Sequence, residues 1–274
     1  MYINSVIEQH REQFLRQSLL SDEFLDFVKR NSIPFETLIS YYRCVIMEVE
    51  TKFKVLNEQY ALRYDRNPIE SIKSRVKSSD SLLKKIRKKN IPLTLEAIEE
   101  QIWDVAGIRV ICSFQDDIYL LADCLLQQDD IKLIEVKDYI KNPKPNGYRS
   151  LHLIVEIPIF LQDEKRNVKV EVQLRTIAMD SWASLEHKLK YKKNLPAEQV
   201  AEISEELRRC ADLSAELDAR MQGVRMDIYK DGNPTKYEDL PFEGIVMPAA
   251  SVLQSIPVMS KNPLVGLLSD SEKK

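Results

Sequence analysis

Apolar residues follow a helical period at the two ends of the chain and an alternating period in the middle. Residues 3–30 place Ile3, Val6, Ile7, Phe14, Leu15, Phe24, Leu25 and Val28 at helical spacing, which predicts a helix. Ser32-Ile33-Pro34 interrupts it, with Pro34 placed to open the next helix. That helix is predicted over 35–63, on Leu38, Ile39, Tyr42, Val45, Ile46, Val49, Phe53, Leu56 and Tyr60. Asn67-Pro68 is a second break, and residues 69–90 read as a further helix rich in lysine and arginine.

Alternation then takes over. Ala106 to Phe114 reads as a buried strand, Asp117 to Leu126 as a short helix, and Ile131 to Ile140 as a strand. Ser150 to Ile157 is a strand with Leu151, Leu153 and Val155 alternating, and Asn167 to Arg175 is another that can pair with it across a hairpin. Residues 177–191 return to helix. From Pro196 a long helix carries Val200, Ile203, Leu207, Cys210, Ser214, Leu217, Met221, Val224 and Ile228. Those steps alternate three and four, a heptad seam. It suits either packing on its own domain or contact with another copy. Residues 230–274 hold prolines and serines without a period and read as a flexible tail. Helices, then strands interleaved with helices, then a helix define an α+β domain.

Composition narrows the chemistry. The net charge of −3 over 274 residues creates no whole-chain field toward nucleic acid or membrane. The start lacks a basic segment followed by an apolar one, and no apolar run approaches the ~20 residues that span a bilayer. The four cysteines form no CxxC pair, which fits inert buried thiols in a reducing compartment better than a zinc site. The six glycines are scattered, so neither a P-loop nor a GxGxxG turn is present. Any polyphosphate must be held by side chains.

Candidate side chains are at hand. Asp104 precedes a buried strand and a glycine, a position open to Mg²⁺ or to a solvated cap. On the 167–175 strand, Glu171, Gln173 and Arg175 share one face, opposite Val170, Val172 and Leu174. Two carboxylates on separate strands are a usual way to hold one Mg²⁺ against a polyphosphate. In the basic stretch, Lys77, Ser81 and Lys85 lie four apart and form one stripe of a helix. That stripe suits a triphosphate, but equally a solvated face or an RNA patch. The loop 142–147 is stiffened by Pro143 and Pro145 and turned by Asn146-Gly147. It delivers Tyr148, either a stacking platform for a base or a core tyrosine.

Four motifs occur together: Asp-Val-Ala-Gly-Ile-Arg-Val (104–110), Gly-Tyr-Arg-Ser-Leu-His (147–152), Val-Glu-Val-Gln-Leu-Arg-Thr (170–176) and Ala-Met-Asp-Ser-Trp-Ala-Ser-Leu-Glu-His (178–187). In this order they resemble the synthetase domain of the RelA/SpoT family, over about residues 35–228. The resemblance implies a mixed sheet of about five strands flanked by helices, nucleotidyltransferase-like, with long terminal helices. It divides the chain into an N-terminal helical segment (1–34), a synthetase domain (35–195), a helix suited to oligomerisation (196–229) and the tail (230–274). The family's hydrolase domain carries a His-Asp pair, and His10, His152 and His187 are each followed by another residue.

The resemblance further implies transfer of pyrophosphate from ATP to GDP or GTP, giving (p)ppGpp and AMP in the cytoplasm. Arg75 and Arg109 match the pair that sandwiches adenine. Lys77, Ser81 and Lys85 match the ATP phosphate contacts. Asp104 matches a Mg²⁺ ligand, and Glu171 a second acid that is metal ligand or base. Tyr148 matches the guanine-stacking residue and Lys144 a contact to acceptor phosphates, with His152 and Gln173 lining the same cleft. A homotetramer is implied, with (p)ppGpp as a possible effector. Asp180 is expected to read guanine, whose adjacent N1–H and N2 amine suit one carboxylate. The alternatives are a relative acting on adenosine nucleotides or a tRNA 3′ end, and an RNA-binding module built on residues 73–89.

Overall fold

The computed structural model describes residues 22–64, 66–190 and 197–228. Most of the expected N-terminal helix and all of the 230–274 tail lie outside them. The elements run α1 (Ser32–Tyr64), β1 (Ile69–Val76), α2 (Ser79–Lys89), α3 (Leu95–Gln101), β2 (Ala106–Cys112), α4 (Gln115–Leu126), β3 (Lys132–Asp138), β4 (Leu151–Phe160), β5 (Lys165–Thr176), α5 (Ile177–Lys190) and α6 (Ala197–Ile228). The strands form one five-stranded sheet in the order β1-β2-β5-β4-β3. Only the β2–β5 pair is parallel, so the sheet is mixed, as expected.

One face of the sheet is the core. Val170, Val172 and Leu174 of β5 are fully buried, with Val110 of β2 and Val155 of β4. Each such side chain contributes roughly 1.5–3 kcal/mol relative to exposure. Helix α1 covers this face with Leu38, Tyr42, Val45, Val49 and Phe53, all buried at helical spacing. Residues 22–30 are helical too, and only Asn31 separates them from α1, so the Pro34 break is a single turn.

The predicted 69–90 helix is two elements. Its first half is the edge strand β1, and the reason lies in a bulge. Ile69 pairs with Cys112, Ser71 with Ile111 and Ile72 with Val110, leaving Glu70 as the extra residue. A bulge puts residues three apart on the same face, so Ile69 and Ile72 imitate a helical step. The helix proper, α2, begins at its N-cap Ser78, whose hydroxyl accepts from the Ser81 amide at 3.4 Å. It ends at Asn90 in the left-handed region (φ 52°). Lys77 therefore lies outside the helix, and the Lys77–Ser81–Lys85 stripe does not exist as such. The short helix α3, capped by Thr94, was not apparent in the sequence pattern.

Helix α6 docks by a face that takes only Leu207 and Ser214 from its heptad seam. Toward the domain it turns Leu207, Ala211, Ser214, Asp218, Gln222 and Arg225. Trp182 Nε1 donates to the Leu207 carbonyl at 2.8 Å, Thr176 Oγ1 to Asp218 at 2.6 Å, and Arg225 to buried Asp117 at 3.4 Å. Val200, Leu217, Met221, Val224 and Ile228 of the seam are about half exposed or more. Cys210 is exposed with them, which corrects the expectation of four buried thiols; all four are free, and only Cys112 is fully buried.

Candidate active site

The second face of the sheet carries the polar residues, and strand register aligns them. One row across the sheet reads Lys73, Arg109, Gln173, His152 and Lys137; the next reads Arg75, Gly107, Glu171 and Ile154. Gly107, between Arg75 and Glu171, leaves this row without a side chain at its centre. A Cβ there would meet only the Arg75 carbonyl oxygen at 3.8 Å and its Cγ at 4.0 Å, so the missing side chain opens space and does not serve the backbone. A cleft of about 550 Å³ lies above, lined among others by Lys73, Arg75, Asp104, Arg109, Glu171 and Gln173.

Asp104 sits in the turn before β2, beside the β1–α2 junction, where the Lys77 amide donates to the Val105 carbonyl at 2.7 Å. Lys77 and Lys85 both reach Asp104 Oδ2, at 3.1 and 2.7 Å. The two lysines thus converge on one carboxylate, although they do not share a helix face. Asp104 Oδ1 is buried with no hydrogen-bond partner. A buried, unpartnered carboxylate oxygen on a residue that lines the cleft fits a divalent cation. Among the described residues no group of three or more acidic, histidine or cysteine side chains gathers; Mg²⁺, which keeps several waters, asks for fewer.

Glu171 faces the same cleft in a buried network. His152 Nδ1 lies 3.2 Å from its Oε1, and Gln173 Nε2 donates to its Oε2 at 2.7 Å. Burial works against the charged form, but the hydrogen bond and charge of His152, the Gln173 amide and the field of Lys85 outweigh it, and the carboxyl is held at about 2. Asp104 and Glu171 both line this one cleft.

Tyr148 leaves the 142–147 loop against this network, its hydroxyl 2.8 Å from His152 Nε2. Burial raises its pKa. Lys144 Nζ lies 4.8 Å from the Tyr148 ring centre and 4.4 Å from that of Tyr139. The loop turns at Gly147, whose φ of +88° suits glycine. An added Cβ there would stand 2.5 Å from the Ala211 Cβ of α6. Arg149 also donates to the Ala211 carbonyl at 3.1 Å. Helix α6 thus backs the loop that carries Tyr148.

Both oxygens of Asp180 meet cations. Oδ1 accepts from Arg109 at 3.1 Å and Arg175 at 3.4 Å, and Oδ2 from Lys73 at 2.9 Å. In this structure it holds Arg109 and Lys73 at the cleft. Burial opposes its charge, yet these cations keep its pKa lowered. Ser81 is exposed in the first turn of α2. Lys73, Arg175 and Tyr139 were not singled out from the sequence. For Arg175 a signal existed, its shared face with Glu171 and Gln173; for Lys73, register alone places it opposite Arg109.

Fold and cleft together define a mixed-sheet α+β domain whose second face is equipped for polyanions, with a ring of cations around two acids. Residues 74–195 match the family model described as "Region found in RelA / SpoT proteins". The chain is 42% identical over 209 residues to GTP pyrophosphokinase YwaC of Bacillus subtilis, covering 76% of this chain and 99% of that protein. The solved structure of small alarmone synthetase 2 from Bacillus subtilis aligns with TM-score 0.63 at 42% identity, over 70% of this chain and 98% of the other. Small alarmone synthetase 1 from the same organism, bound to its product pppGpp, aligns with TM-score 0.64 at 34% identity, over 71% and 98%. The chain belongs to the RelA/SpoT family.

Proposed function

We propose that this protein is a GTP pyrophosphokinase that transfers pyrophosphate from ATP to the 3′-hydroxyl of GDP or GTP, releasing AMP and (p)ppGpp. The observation that carries the reading is the convergence of Lys77 and Lys85 on Asp104, with Glu171 in the same cleft. The relatives' names and the pppGpp-bound structure support it.

Arg75 and Arg109, planar and permanently charged, take the adenine. Lys77, Lys85 and Ser81 take the triphosphate, which competes with Asp104 for the lysines. Asp104 and Glu171 hold Mg²⁺, which when bound offsets charge on the phosphate oxygens. Tyr148 stacks on guanine, and Lys144 beside it contacts acceptor phosphates. His152 and Gln173 hold Glu171 toward the acceptor ribose. In the transfer, the 3′-oxygen bonds to the β-phosphorus as the bond from that phosphorus to the oxygen of AMP breaks, and the hydroxyl proton passes to Glu171 or to solvent. Glu171, oriented by His152 and Gln173, serves as metal ligand or as base for that proton. Positioning two polyanions is then the main task.

The exposed seam of α6 suits a homo-oligomer, a tetramer by analogy with the family, in the cytoplasm. Among the described residues no helix is long and apolar enough to cross a membrane. An RNA-binding module has no use for Asp104 and Glu171, which repel phosphate.

The test is chromatography of labelled ATP incubated with GDP, GTP, AMP or tRNA in turn, with Mg²⁺ and with EDTA. Expected are AMP and a 3′-pyrophosphorylated guanosine nucleotide, only with the metal. Transfer to AMP or tRNA with none to GDP or GTP refutes the reading. Light scattering of the wild type and Leu217→Lys tests the seam, which is refuted if both give the same mass as a monomer.

A further inference from the structure

We infer that Arg175 is a positioning residue for the acceptor half of the site, setting the Tyr148 ring and the Glu171 carboxylate together through two hydrogen-bonded arms. The inference rests on the pyrophosphotransferase reading and goes one layer below it. Arg175 ends the face of β5 that carries Glu171 and Gln173, is 3% exposed, and is not among the residues lining the cleft.

Its guanidinium has four partners. Nη2 donates to the Tyr148 hydroxyl and, at 2.8 Å, to Gln173 Oε1. Nη1 donates to Asp180 Oδ1 and Nε to Ser150 Oγ, each at 3.4 Å. The guanidinium carbon lies 5.0 Å from the Tyr148 ring centre. A guanidinium donates only and never accepts, so it fixes the direction of each bond it makes.

One arm runs through Gln173. Its Oε1 accepts from Arg175, so its Nε2 is the atom left to donate to Glu171 Oε2 at 2.7 Å. The other runs through Tyr148. Its oxygen accepts from Arg175 and lies 2.8 Å from His152 Nε2. His152 Nδ1 in turn stands 3.2 Å from Glu171 Oε1 and donates to it. Both arms run from Arg175 to Glu171, and one ends on each carboxylate oxygen. Linked hydrogen bonds reinforce one another in a buried site. Lysine, a point charge without the planar fork, cannot serve both arms in this geometry.

The test compares steady-state kinetics of the full-length wild type, Arg175→Lys, Tyr148→Phe, Gln173→Met and the Tyr148→Phe/Arg175→Lys double variant, per folded molecule by thermal unfolding. Arg175→Lys is expected to lower kcat ~100-fold, the scale of a misplaced reacting group. It should raise the acceptor KM ~10-fold while the ATP KM stays within about twofold, a split that general destabilisation does not produce. Tyr148→Phe and Gln173→Met, each cutting one arm, should lower kcat ~10-fold, and the double variant should be no worse than about twofold below Arg175→Lys, because coupled residues are non-additive. Multiplying effects, equal changes in both KM values, or an unchanged kcat overturn the inference. Should Arg175→Lys fail to fold, the one-arm variants decide, and normal kcat in both overturns it. A wild type that transfers nothing to GDP or GTP instead sinks the functional reading.

Discussion

The two halves of the cleft hold polyanions by different means. On the ATP side, cations come from β1, the β1–α2 junction and α2, and they lean on carboxylates: Lys77 and Lys85 on Asp104, Lys73 and Arg109 on Asp180. On the acceptor side, Tyr148, His152, Glu171, Gln173 and Arg175 form a closed hydrogen-bonded ring that is mostly buried. The first half is a set of point charges on carboxylate partners, which a triphosphate would displace under the proposed function. The second has its geometry fixed beforehand. Charge alone suffices to grip phosphates, whereas placing one hydroxyl against one phosphorus needs direction, which hydrogen bonds in a dry site supply.

The comparison can be broken most sharply at its meeting point. Asp104→Ala removes the cation ligand and leaves Lys77 and Lys85 without their anchor, and is expected to lower AMP release by ~10³-fold or more with the fold intact by circular dichroism. Retained AMP release would move the metal elsewhere. Next is Gly147→Val, on the preorganised side only. A side chain against Ala211 at positive φ should cost about 2–3 kcal/mol in thermal unfolding, the range of overpacking and strained backbone. It should also raise the KM for GDP far more than that for ATP; equal changes would show that α6 does not back the acceptor loop. Smaller, and confined to the charged side, is Lys77→Met. It should raise the KM for ATP ~10-fold at low salt and less at high salt, since partly exposed charges are screened; an effect independent of salt would contradict a point-charge grip.

A last effect concerns acid. The folded-state pKa of Glu171 lies at about 2, below its ordinary 4.5. Its contribution is therefore complete above about pH 4.5 and lost as pH falls toward 2, on the order of 3 kcal/mol at most. Denaturant titrations of the wild type and Glu171→Gln should converge over that window; parallel curves would mean the arms do not hold the carboxylate ionised.

Much of this was legible in the chain. The Val170–Leu174 alternation gave away a strand with one buried face, and Asn146-Gly147 a turn whose glycine the structure requires twice over. The 69–76 segment was not legible as a strand, because the bulge at Glu70 spaces Ile69 and Ile72 as a helix would. The role of Asp180 was hidden for another reason: its partners Lys73, Arg109 and Arg175 come from three strands, and no local pattern records which strand lies beside which.

The sequence by itself determined the two faces of each strand, the positions of the turns, the lack of a glycine-built phosphate cradle and, through four ordered motifs, the family. These are matters of local period and composition, which a chain carries without folding. Only the tertiary structure decided that two lysines on either side of a helix cap meet at Asp104, that α6 leaves most of its heptad seam exposed, and that hydrogen-bonded chains link Arg175 to both oxygens of Glu171. Such relations depend on strand register and helix docking. Those are settled by the burial of the core as a whole, not by neighbours along the chain.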